Sequence, residues 1–512
     1  MATLTNTPTA EQTFPRLDAV CDAMVAKARE YAGLHRYDGV VQDLSPDGVR
    51  SALSRLGGTA LADAHDEAHL TCAENSLRVE LGDLEFHRRS PLLHLENLDL
   101  ACYDREYASH GVRRQARARH VALWPAAIDA ALASLDELSA PVAAGLLPGV
   151  RGLCAALDPD EPLDAVALEA HGRFLAHVEH AAAHGDPNAA LGEPALAQLL
   201  SAMEAIDVDL SAMSTLAEQE RARLTELIAD ACVRYRSGAV ASQLVPELVR
   251  DHPDADGVLA ASTTLTQEVI RWTAEHELVP YNDGVCVVAP SPESRCWAMA
   301  MMAPAAPWED DAPSFFHVTP PHADWSPEKQ EEWLSVFSAT TLPAIAVHEV
   351  APGHFSHARA VLRAPSPVRR TVFSEGFIEG WAHYVEELAV EEGFHADDPR
   401  FAIGVYVEAL VRVTRLICAI GVHTGAFDVD EATRRFEGDA FLRGQAARSE
   451  AERATYDPSY GRYTWGKLVI RDLRERARHQ WGAGFSLHRF HSAMLELGSP
   501  PLGLLDTALQ RG

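Results

Sequence analysis

Lysine is scarce in this 512-residue chain: only Lys27, Lys329 and Lys467 stand among 44 basic residues. With Arg and Ala abundant, that scarcity reads as a GC-rich coding bias and says nothing about chemistry. Positive charge is short overall, with 74 acidic residues giving a formal net charge of -30. Nucleic acid and anionic membrane both select a basic footprint, so neither is expected as a main partner. No apolar run approaches the roughly 20 residues that a bilayer span requires. None of the eight cysteines stands at C-x-x-C spacing from another. That argues against a thiol metal or redox site and favours reduced, buried thiols. Met1 to Phe14 lacks a basic segment followed by an apolar one, so no signal peptide is expected and a cytoplasmic location follows. Residues 1–12 are expected to be a loose tail.

The residues present are those of an ordinary globular protein, 47% hydrophobic and 23% charged, enough to build a sizeable core. Leu17, Val20, Met24, Ala28 and Tyr31 recur at helical spacing and predict a helix over 16–35. Ser45-Pro46-Asp47 reads as a helix start. Further helices are expected over 117–137, 139–155, 163–184, 189–204, 210–236 and 258–276. His177, His180 and His184 share a face of the segment 163–184, which also carries His171. With no accompanying carboxylate and glycine pattern, they read as a solvated helix face. Val285–Val288 and Ser314–Thr319 are short, β-prone and bounded by Pro and Gly, predicting a small sheet. Helices resume over 326–340, 342–363, 374–392, 400–423, 429–446, 464–480 and 486–496. The expected class is therefore mainly α with a small β-sheet. A boundary near 240–255 would separate an N-terminal helical region, 1–250, from a second region, 251–512, unless the two form one intertwined domain.

The chemistry concentrates in His348-Glu349-Val350-Ala351-Pro352-Gly353-His354. A catalytic zinc site needs three protein ligands, an open position and a base. Histidines at i and i+4 share a helix face, with Glu at i+1 beside them. Here the i+4 slot holds Pro352, and His354 arrives at i+6, about 240° round a straight helix. Pro352 has no N–H and its ring clashes with the preceding turn, while Gly353 opens backbone angles closed to other residues. The pair permits a bulge that brings His354 to the i+4 place, with His357 as the competitor. A second segment, Ser374 to Leu388, carries an apolar stripe of Phe377, Trp381, Tyr384 and Leu388. Glu375, Glu379, His383 and Glu386 lie opposite that stripe. Gly376 and Gly380 each cost a helix about 1 kcal/mol, and close packing against another helix is one reason to keep them. The chain between His354 and Glu379 is long enough to turn and return antiparallel. Glu379 is thus a plausible third ligand, and Glu375 and His383 are its neighbours one turn away, as supporting partners or an extra ligand.

These residues resemble a known pattern. His348-Glu349-x-x-Pro352-Gly353-His354 followed by Phe377-Ile378-Glu379-Gly380-Trp381-Ala382 is similar to the bacterial family catalogued as domain of unknown function eight-eight-five. Arg415-Leu416-Ile417, Gly421-Val422-His423, Tyr463-Thr464-Trp465-Gly466-Lys467, and Phe490-His491 through Leu502 continue the resemblance, which covers about 275–505. It implies a multi-helix metallopeptidase-like fold, with one zinc ion, or another divalent ion, on His348, His354 and Glu379. Glu349 would be the general base, Tyr463 and His423 would stabilise the oxyanion, and Arg415 would hold a substrate carboxylate. Phe315–Thr319 would offer an edge strand to an extended peptide. The chain departs from the family at Phe355, Ala419 and His383. The implied function is hydrolysis of an amide bond in a short peptide or peptide-like molecule. The alternatives are a metal-dependent tailoring enzyme of specialised metabolism and a non-catalytic binding protein stabilised by metal.

Overall fold

The computed structural model describes residues 14–292, 299–309, 312–322 and 324–512. The expected loose tail lies outside the described residues. The chain starts with two short helices, α1 (Pro15–Asp22) and α2 (Val25–Glu30), where the periodicity predicts one. Helices α3 (Ala64–Leu77) and α4 (Leu92–Leu98) follow. A three-helix layer, α5 (His110–Ser134), α6 (Ala140–Gly152) and α7 (Pro162–His184), buries Trp124 and Phe174 in a core of its own. On α7, His171 and His177 bond the carbonyls of Val150 and Leu135, so these two hold the layer together instead of facing solvent. Then come α8 (Glu193–Glu204), α9 (Leu210–Tyr235) and α10 (Val258–Glu275).

Three strands form the sheet: β1 (Cys286–Pro290), β2 (Ala300–Ala303) and β3 (Ser314–Val318). The order is β1-β3-β2, parallel across β1 and β3 and antiparallel across β3 and β2. This corrects one expectation. Phe315 to Val318 lie in the central strand, whose backbone is paired on both sides, so they offer no edge to a peptide. The edges are β1 and β2, and β2 was not foreseen because Ala-Met-Met-Ala has no β-branched residue.

Helices α11 (Leu342–Glu349) and α12 (His354–Val361) replace the single helix expected over 342–363. The longer helices that follow are α13 (Glu375–Glu391), α14 (Pro399–His423), α15 (Val429–Asp439), α16 (Gly444–Tyr456), α17 (Arg462–Trp481) and α18 (Leu487–Leu495). The segment expected as one helix over 429–446 divides at Phe441 and Gly444, both of which adopt positive φ. No helix among the described residues is long and apolar enough to cross a membrane. Lys329 faces outward with its Nζ 3.8 Å from the Trp325 ring.

The largest core runs from Leu196 to Leu509 and takes in the stripe of Phe377, Trp381, Tyr384 and Leu388. It draws on both sides of residue 250. Polar contacts cross the same line: the Arg369 Nε donates to Asp66 at 2.6 Å, and Glu204 accepts from Ser374 Oγ and from the Leu502 N–H. Lys467, fully buried, reaches Glu220 and Glu387 at 2.6 Å each.

Helices α13 and α17 cross backbone to backbone. A Cβ on Gly380 would sit 2.4 Å from the Gly466 Cα, and one on Gly466 would sit 2.1 Å from the Gly376 carbonyl oxygen. This is why α13 keeps glycines that weaken it as an isolated helix. Gly380→Ala should lower stability by about 1–3 kcal/mol, the usual cost of overpacking. The reading is a shift in the urea unfolding midpoint, and an unchanged midpoint would show that the two helices part freely.

Candidate metal centre

Helix α11 ends because its next turn cannot form. The Val350 N–H still reaches Ala346 O at 2.9 Å, but Pro352 has no hydrogen to give to the His348 carbonyl. The chain folds over that carbonyl so tightly that a Cβ on Gly353 would lie 1.9 Å from the His348 oxygen. Helix α12 then starts at His354, its first turn closed by His357 N–H to Gly353 O at 3.0 Å. The Trp381 Nε1 donates to Pro352 O at 2.9 Å and ties the turn to α13. The step at Pro352-Gly353 is therefore a junction between two helices, not a bulge within one.

That junction brings the two imidazoles together, ring centroids 4.7 Å apart at 85°. Glu379, from the second turn of α13, closes the group. Its Oε2 lies 3.5 Å from His348 Nε2 and 3.6 Å from His354 Nε2. One ligand atom from each of the three residues falls within 4.8 Å of the other two. These separations are longer than good hydrogen bonds, and Glu379 Oε2 is buried without a donor in hydrogen-bond geometry. They are close to the roughly 3.3 Å edge of a tetrahedron whose ligands stand about 2.0–2.1 Å from a zinc ion. A buried, donorless carboxylate oxygen facing two imidazole nitrogens fits a divalent cation.

Behind the cluster, His348 Nδ1 meets Glu386 Oε1 at 2.6 Å. This contact favours hydrogen on Nδ1 and leaves Nε2 as the ligand nitrogen. Glu386 is fully buried and also contacts His383 Nδ1 at 3.3 Å and Arg412 at 3.1 Å. Burial and the Arg412 charge push the His348 pKa down, but Glu379 and Glu386 hold it up at about 9. Burial opposes charge on Glu379, yet the two histidines hold its carboxyl well below the usual range. Glu349, the last residue of α11, accepts a hydrogen bond from the Met302 N–H on β2 at 2.7 Å.

The other sequence candidates occupy different places. His357 is buried against Phe377 and contacts Ser499 Oγ at 3.1 Å; burial lowers its pKa to about 3. His383 touches Glu386, one contact removed from the cluster. Glu375 pairs with Lys27 and with Arg462, each at 3.2 Å. Arg415 is held by Glu450 through two bonds of 2.8 and 2.7 Å, so its fork is already filled. The Tyr463 ring lies among Arg412, Arg415 and Arg462. His423 closes α14, about 16 Å along that helix from Arg412, and is not brought to the cluster. Phe355 and Ala419 are enclosed in hydrophobic cores. Sequence reasoning passed over Arg412 and left Glu386 unassigned; the available signal was Glu386 two helical turns after Glu379, on the same face.

Fold and cluster together define a mainly helical protein with a candidate centre of two histidines and a distal glutamate. The chain belongs to the family described as bacterial protein of unknown function (DUF885), whose model matches residues 27–509. The match thus extends through the N-terminal half. The fold is similar to that of a candidate lipoprotein of unknown function from Shewanella oneidensis, at TM-score 0.76 and 19% identity, covering 97% of this chain and 98% of that one. It is also similar to a candidate lipoprotein from Colwellia psychrerythraea, at TM-score 0.75 and 15% identity, with 96% of each chain covered. No curated protein matches the chain.

Glu386→Gln keeps the shape of the side chain and removes the charge behind His348. It should weaken binding of a divalent ion by about 10–100-fold, measured by competition with a chromophoric chelator. Unchanged affinity would make Glu386 a packing residue only.

Proposed function

We propose that the protein is a metal-dependent hydrolase, with zinc as the first choice of ion, that cleaves an amide bond in a short peptide or peptide-like molecule. The observation that carries this reading is the convergence of His348, His354 and the donorless Glu379 oxygen, with Glu349 next in chain to the first of them. When bound there, a divalent ion supplies Lewis-acid polarisation of the scissile carbonyl and makes water more acidic. Imidazole and carboxylate ligands suit zinc among the common ions.

The chain's own groups would do the rest. Glu349 has one carboxylate oxygen fixed by the Met302 N–H. The other accepts a proton from the attacking water and passes it to the departing nitrogen. Glu386 keeps His348 oriented, and Arg412 balances the charge of Glu386. Because the Met302 N–H reaches Glu349, the outer edge of β2 runs beside the cluster and suits an extended substrate backbone.

Purified protein should carry about one equivalent of a divalent ion per chain by elemental analysis, and His348→Ala should lose it. Glu349→Gln should retain the ion while turnover of a mixed peptide library falls by at least about 100-fold. A metal-free wild type, or full retention by His348→Ala, would sink the metal assignment. Metal retained with no turnover of any amide by the wild type would favour a binding protein.

A further inference from the structure

Five charged side chains form a row beside the candidate centre. Lys27 on α2 meets Glu375 Oε1 at 3.2 Å, and Arg462, at the start of α17, meets Glu375 Oε2 at 3.2 Å. Arg462 then grips both oxygens of Asp457, at 2.7 and 3.1 Å, and Arg453 on α16 reaches Asp457 Oδ2. The row touches the centre at Glu375, one helical turn before Glu379 on the same face of α13. Cations and carboxylates alternate along it, and a cation stands at each end. Other acids serve the Lys27 end: burial presses the Lys27 pKa down, and Glu375, Glu96 and Glu80 hold it up. Around Arg453 the neighbours are the Tyr460 and Tyr463 rings and Asp457.

Arg453 is the loosely held member. Its Nε and Nη2 both donate to the same oxygen, Asp457 Oδ2, at 3.2 Å each, longer than the roughly 2.7–2.9 Å of a good charged pair. That oxygen also serves Arg462. Arg415 shows the contrast, since Glu450 holds it through two oxygens at 2.8 and 2.7 Å. A guanidinium carries five N–H groups. Two of those left over on Arg453 sit on Nη1, which has no hydrogen-bond partner among the described residues. Unlike the partnerless Nε atoms of Arg412 and Arg462, this nitrogen is not buried. The guanidinium lies 4.3 Å from the centre of the buried Tyr460 ring, which fixes its plane. The side chain is 33% exposed, yet burial presses hardest on its pKa, with Tyr460, Tyr463 and Asp457 opposing. Its open edge therefore faces a recess walled by protein. Glu379 is open in the same way, 24% exposed although burial again weighs most on it. The Tyr463 hydroxyl is a further donor beside Arg453, likewise accessible and without a partner among the described residues.

Spare donors on a half-neutralised cation, away from bulk water, suit a group that is anionic and accepts hydrogen bonds only. We propose that Arg453 holds a carboxylate of the substrate, with the Tyr463 hydroxyl as second donor. The assignment rests on the hydrolase reading above and narrows its substrate class to short amides that carry a carboxylate near the scissile bond. It moves the carboxylate-holding role from Arg415, which Glu450 occupies, to an arginine on a different helix. The C-terminus supplies such a group in any peptide, and an Asp or Glu side chain supplies it in some. The row from Arg453 through Asp457, Arg462 and Glu375 bridges to Glu379, a gap that a few extended residues cover at roughly 3.3–3.6 Å each.

The test uses full-length protein and alanine peptides of two to six residues, each as the free acid and as the C-terminal amide. A third set, the amides with one alanine replaced by glutamate, supplies a side-chain carboxylate alone. Turnover is measured on the wild type. Retention is measured by equilibrium dialysis and mass spectrometry on the Glu349→Gln protein. Peptides with a carboxylate should be cleaved and retained at least about tenfold better than the plain amides. Arg453→Gln should bring that ratio to within about twofold, by raising KM for the acids. Arg453→Lys keeps the charge and loses the planar donor edge; it should give an intermediate ratio, and it carries the test should Arg453→Gln unfold. Preference for the glutamate amides over the plain amides assigns the site to a side-chain carboxylate; preference confined to the free acids assigns it to the C-terminus. Cleavage indifferent to both carboxylates, or a preference that neither Arg453 variant alters, overturns the Arg453 assignment and leaves the hydrolase reading. Selective retention without cleavage sinks the hydrolase reading and leaves the carboxylate site. If no peptide is retained or cleaved, both fall.

Discussion

The close crossing of α13 over α17 is the contact on which the rest depends. Only glycine at 380 and 466 lets the two backbones meet. The crossing sets the height and rotation of α13, which carries on one face the stripe in the main core and on the other Glu375, Glu379, His383 and Glu386. A small displacement of α13 would move Glu375, the third ligand and the orienting carboxylate together. Lys467, one residue after Gly466, reaches Glu387 on α13 and Glu220 on α9, so a buried charge bonds the same crossing from the side.

Charge is managed by close matching. A chain of net charge -30 must place many carboxylates, and those it buries are mostly given cations. Glu386 has Arg412, Glu387 has Arg223 and Lys467, and Glu450 has Arg415. Such pairs gain little net stability over apolar packing, but deleting one partner leaves the other costly. Their effect here is to hold rigid the helices behind the cluster, leaving the cluster itself with unmatched atoms. The donorless oxygen of Glu379 stands out beside these carboxylates, each of which has its cation.

The helices were largely legible in the sequence, because long amphipathic segments repeat their apolar residues often enough to declare a period. The junction at Pro352-Gly353 was legible as a distortion, since the missing N–H and missing Cβ are local facts; that it separates two helices depended on Trp381 capturing the turn. Strand β2 was not legible, because Ala300–Ala303 is extended by its pairing with β3 and not by its own preference. Glu386 was visible on the right helix face but indistinguishable from a solvated glutamate until the opposing helices were in place. Arg412 and Arg415 are neighbours on one helix, and only tertiary packing decides that the first meets Glu386 while the second is taken by Glu450.

The shortage of lysine has a practical side. Lys467 is enclosed between two glutamates, and Lys27, with 31% of its side chain exposed, is paired with Glu375. Lys329, resting on Trp325, is the lysine side chain left facing outward. Among the three lysines, amine-reactive dyes and crosslinkers would therefore meet Lys329 first, beside the chain's own α-amine. Lys329 is a natural handle for immobilisation or fluorescence that leaves the buried Lys467 pairs untouched.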